Sequence, residues 1–60
     1  MTMKLLLATE ARDLGLVPAS KALSRAKTEA KIEGATVYVR DELTDELAFA
    51  VEPDGSVRKG

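Results

Sequence analysis

The chain has 60 residues, carries a net charge of −1 and contains neither histidine nor cysteine. That double absence removes the commonest general base, the commonest nucleophile and nearly all soft metal ligation, and it rules out disulfide reinforcement. With 45% hydrophobic and 32% charged residues, the composition is that of one small globular domain over 1–60 rather than of a disordered segment.

Residues 3–14 place Met3, Leu6, Leu7, Ala11 and Leu14 close to the three-and-four spacing of a helix face. Thr2 suits an N-cap and Gly15 suits the position just past a helix end, so the expectation is a first helix over about 3–14. The continuous run Leu5-Leu6-Leu7 is equally what a strand over 3–8 would show, but the periodicity persists past Thr9 and favours the helix. The same run is too short for a signal peptide or a membrane span, because Glu10, Arg12 and Asp13 follow at once.

Leu16-Val17-Pro18 reads as a connector into a second helix over about 18–33, with Pro18 in its first turn, Ser20 as an alternative cap and Gly34 as its stop. Its apolar stripe is Ala19, Ala22, Leu23, Ala26 and Ala30. Almost all alanine, it allows close approach to a sheet while burying little area per residue.

The β-branched and aromatic run Ala35 to Arg40 predicts a strand over about 35–40, and Leu47 to Val51 a second over about 46–52. Period-two alternation puts Val37, Val39, Leu47, Phe49 and Val51 on one face, with Phe49 as the main large core group. Glu52-Pro53-Asp54-Gly55 is a turn signal that allows a third short strand at about 56–58. The expected architecture is α+β: two helical segments followed by an antiparallel hairpin or three-stranded meander, with the alanine stripe laid on one sheet face.

Charge is segregated along the chain. Five basic residues (Lys21, Arg25, Lys27, Lys31, Arg40) stand against Glu29 and Glu33 between Pro18 and Arg40, whereas Asp41 to Asp54 holds six acidic residues and no basic one. Such segregation favours docking on a charged partner or head-to-tail on a second copy. The turn Asp41 to Glu46 lacks the alternating pattern and central glycine of a calcium loop, so no metal site is expected there.

The opposite strand face (Thr36, Tyr38, Ala48, Ala50), together with Ile32, which falls off the alanine stripe, forms a candidate protein interface of low charge. From Glu10 to Lys31 the helix, glycine turn and second helix resemble a helix-turn-helix unit in outline. On that alternative, residues 3–33 belong to a small DNA-binding regulator with the hairpin as a wing, and Lys21, Ser24, Arg25 and Lys31 face the duplex. A pI near 5.3 and an acidic wing tip oppose it.

No serine has a histidine to activate it, no glycine-rich phosphate loop is present, and a fold this small encloses little pocket volume. The sequence therefore predicts a non-enzymatic protein without cofactor, metal, small-molecule substrate or membrane span. It is expected in a reducing cytoplasm, where it acts as a homodimer or by binding another protein.

Overall fold

The computed structural model describes residues 3–59. Among them the order is β1 (Lys4–Ala8), β2 (Asp13–Pro18), α1 (Ala19–Glu33), β3 (Val37–Asp41), β4 (Leu47–Val51) and β5 (Val57–Lys59). The strands form one antiparallel sheet in the order β2-β1-β3-β4-β5, with α1 on one face. The architecture is α+β as expected, but with one helix rather than two, and β3, β4 and β5 are three consecutive members of a five-stranded sheet rather than a three-stranded meander of their own.

The expected first helix is instead the hairpin β1-β2; its proposed cap, Thr2, lies outside the described residues. Two properties of residues 3–14 favour the sheet. Leu5 and Leu7 are 7% and 1% exposed beneath α1, while Leu6 points to the other face, so an unbroken leucine run serves both sides of a sheet. The turn between the strands is closed by a threonine: the Thr9 amide donates to the Arg12 carbonyl at 2.8 Å, and Thr9 Oγ1 accepts from the amides of Ala11 and Arg12, each at 3.2 Å. Threonine makes such turns less emphatically than asparagine, aspartate or glycine do, so the turn carries little sequence signal. Gly15 caps no helix. It sits in β2 opposite Leu7 with φ +107°, beside a bulge that leaves Leu14 without a partner in β1.

The helix from Ala19 to Glu33 follows its sequence signals. Pro18 is the N-cap residue, in extended conformation and without a side-chain cap. Gly34 ends the helix at φ +63°, its amide donating to the Ala30 carbonyl at 2.9 Å. Ala22, Ala26 and Ala30 are fully buried against Leu5, Leu7, Val37, Val39 and Val51. Ala19 and Leu23, at the margins of the stripe, remain exposed.

Two expected core positions change role. A bulge between β3 and β4 pairs Val39 with Phe49 but Arg40 with Leu47, which leaves Ala48 as the extra residue. Leu47 thereby moves from the helix-covered face to the face of Arg40. Phe49 is only partly buried, because α1 packs over β1 to β4 and does not reach β5. The largest fully buried side chains are Leu7, Val37, Val39 and Val51.

Candidate interaction surfaces

Cross-strand pairing defines the sheet face that α1 leaves bare. Leu6 pairs with Leu16 on one side and Arg40 on the other, Arg40 pairs with Leu47, Ala8 pairs with Tyr38, and Ala50 lies between Tyr38 and Arg58. Paired residues share a face. The result is a band of Leu16, Leu6, Leu47 and Tyr38 around a central arginine, with Arg58 at one margin held by Glu52 at 3.4 Å. Arg40 has no carboxylate within ion-pair distance among the described residues. The Tyr38 hydroxyl points to Glu10 Oε1 at 3.5 Å. Leu16 is 49% exposed, and the small Ala50 is 5% exposed between its two larger neighbours.

Of the residues expected at a protein interface, Tyr38 and Ala50 come together as adjacent partners on this face. Thr36 stands at its border, lining a shallow depression of ≈ 330 Å³ with Thr9, Glu10, Ala35 and Tyr38. Ala48 is the exposed bulge residue. Ile32, 69% exposed, belongs to α1 on the other side of the sheet and does not join the patch. The alternation that puts Tyr38 on this face puts Arg40 there too, whereas Leu6, Leu16 and Leu47 join it without having been expected. The signal for Leu6 was present in the uninterrupted leucine run, whose middle member must face away from its neighbours once the segment is a strand.

The helix-turn-helix outline does not form, because its first half is a β-hairpin. Its four candidate residues are all exposed on α1 but fall in two places. Lys21, Ser24 and Arg25 border a cleft of ≈ 390 Å³ with Val17, Pro18, Ser20 and Thr28. Lys31 stands with Lys27 beside the turn Pro53-Asp54-Gly55. Arg25 also bonds Glu29 one turn along, at 3.6 Å.

The acidic turn between β3 and β4 is built by its own first residue. Asp41 Oδ1 accepts from the amides of Leu43 at 2.7 Å and Thr44 at 3.2 Å. The Asp41 amide donates to the Glu46 carbonyl at 2.9 Å, and the Asp45 amide to the Asp41 carbonyl at 2.8 Å, with Asp45 in the left-handed region at φ +61°. No three carboxylates converge into a cation cluster among the described residues.

Elsewhere, carboxylates are tuned by local donors. The Arg12 guanidinium grips Glu33 through two of its three nitrogens, Nε donating to Oε1 at 3.3 Å and Nη2 to Oε2, and holds that carboxyl below its usual range. Asp54 is also lowered, chiefly by the Ser56 amide that donates to it at 2.9 Å. No described helix is long and apolar enough to cross a membrane. Comparison with protein-family models, curated proteins and solved structures gave no match to this chain.

Proposed function

We propose that this chain is a non-enzymatic protein-interaction module whose bare sheet face docks a second protein surface. The observation that carries the reading is the band Leu16, Leu6, Leu47 and Tyr38, a largely apolar face on a sheet whose other face is roofed by α1. Sheets commonly bury both faces or present a polar one to water, and an apolar face of this kind marks a contact surface.

The sheet edges support a face rather than an edge as the docking surface. β5 is three residues long and carries Arg58 and Lys59; β2 carries a bulge at Leu14 and ends in Pro18, which has no amide to donate. Short, charged, bulged or proline-bearing edges resist strand addition. The non-catalytic reading rests on composition: without histidine, no serine or threonine hydroxyl of this chain has the commonest activating base beside it.

The test is Tyr38→Glu, which places a charge within the band without touching the roofed core. Affinity capture from the source cell, compared between wild type and variant, should lose its partner with the variant while the circular dichroism spectrum stays unchanged. Equal capture by both chains would remove the sheet face from the proposal.

A further inference from the structure

The most exposed large apolar side chain in the structure is Leu43, 88% accessible at the tip of the acidic turn. It is carried by a turn tied through several hydrogen bonds. Asp41 ties the amides of Leu43 and Thr44, and the strand ends close across Asp41 and Glu46. The backbone that carries Leu43 is thus already ordered, and docking has to order only its side chain. Around it stand Asp41, Glu42, Asp45 and Glu46, none of which takes part in an ion pair among the described residues.

The same chain carries the complement. An open cleft of ≈ 390 Å³ between the start of α1 and the end of β2 is lined by the apolar Val17 and Pro18 together with Lys21, Arg25 and the hydroxyl side chains of Ser20, Ser24 and Thr28, and it has room for a leucyl side chain. Lys21 has no carboxylate partner among the described residues, and Arg25 is engaged only with Glu29, at 3.6 Å. Strand register places turn and cleft at the same end of the sheet, Lys4 pairing with Pro18 and Leu5 with Asp41. Leu43 nevertheless stands 88% exposed and lines no part of the cleft, which leaves the cleft open to the turn of a second molecule.

We infer that this protein associates with a second copy of itself by inserting Leu43 of one molecule into the Val17–Pro18 cleft of the next, the acidic turn lying against Lys21 and Arg25. The occupant is set by complementarity in both senses: an apolar knob ringed by four carboxylates against a cleft lined by apolar and basic side chains. Knob and cleft are different patches, so each molecule offers both. The contact closes if the exchange is reciprocal and propagates if it is not. This surface is distinct from the bare sheet face and does not depend on it.

The test is sedimentation velocity across a concentration series, at about 50 mM and about 500 mM salt, on wild type and three variants. Wild type should gain mass with concentration and lose that gain at the higher salt. Leu43→Asp, Lys21→Glu with Arg25→Glu, and Glu42→Lys with Glu46→Lys should each weaken self-association at least about tenfold. An equimolar mixture of the two charge-reversed chains should regain it, which no folding defect could produce. Wild type that stays at one chain mass at millimolar concentration and low salt overturns the inference, as does Leu43→Asp that associates like wild type. Association lost with Tyr38→Glu but kept with Leu43→Asp also overturns it, and assigns the contact to the sheet face instead.

Discussion

The two faces of the sheet are built from similar strands and differ in what lies over them. On one, Leu5, Leu7, Val37, Val39 and Val51 meet the three buried alanines of α1, and each is nearly or fully sealed from water. On the other, Leu6, Leu16, Leu47 and Tyr38 remain accessible around Arg40. The helix-side core works through small residues: alanine lets α1 approach the sheet closely, so modest side chains fill the space at native density. Where no helix lies, side chains of similar size stay partly exposed, Leu16 most of all at 49%. The difference shows that apolar content alone does not make a core in this chain, since one helix covers four strands of one face and no described element covers the other.

The largest break in this comparison should come from Leu7→Ala, which removes a fully buried side chain and should cost about 2–5 kcal/mol. A domain of this size holds only about 3–5 kcal/mol, so the variant should be unfolded by circular dichroism at 25 °C. The neighbouring change Leu6→Ala, on the bare face, should leave a cooperative thermal transition. If the two variants melt alike, the faces are not energetically distinct. Next in size is Ala26→Leu, which forces extra methyl groups between helix and sheet and should cost about 1–3 kcal/mol, read from chemical denaturation. A variant as stable as wild type would mean that α1 sits further from the sheet than its sealed alanines indicate.

The smallest effect sharpens the comparison at the rim of the roofed face, where Arg12 of the β1-β2 turn region holds Glu33 at the end of α1. The folded state lowers the Glu33 carboxyl, so the pair's contribution is fully present above the ordinary carboxylate range of about pH 4 and fades as pH falls through the lowered value. Arg12→Ala should therefore lower stability near pH 7 by the small amount expected of an exposed pair and leave stability below the lowered value unchanged, which flattens the acid limb of the stability–pH curve. An acid limb unchanged in the variant would place the titrating group elsewhere, with Asp54, lowered by the Ser56 amide, the next to examine.

Much of the fold is legible because its signals are local. Pro18 and Gly34 bracket α1, the every-fourth alanines mark its buried side, and Pro53-Asp54-Gly55 forms the turn before β5, with Gly55 at φ +96°. Residues 3–14 are misread because their apolar spacing satisfies two periods at once and because Thr9 closes the hairpin where a glycine or asparagine would have announced it. Half of the sheet-face site is legible for the same reason. Alternation places Tyr38 and Ala50 together, but Leu47 joins them only through the Ala48 bulge, and Leu6 and Leu16 only through the hairpin that replaces the expected helix.

Composition by itself determined that this chain has no histidine or thiol chemistry. The alternation of Val37 and Val39 and the alanine stripe of the helix determined which sides of those two elements meet in the core. These depend on side-chain type and on the two backbone periods, which act over a few residues. Tertiary structure alone decided that β1 pairs with both β2 and β3, that a bulge turns Leu47 outward, and that one sheet face is left without a roof. Those outcomes depend on which distant segments compete for the same hydrogen bonds and apolar area, a competition that no short window of sequence contains.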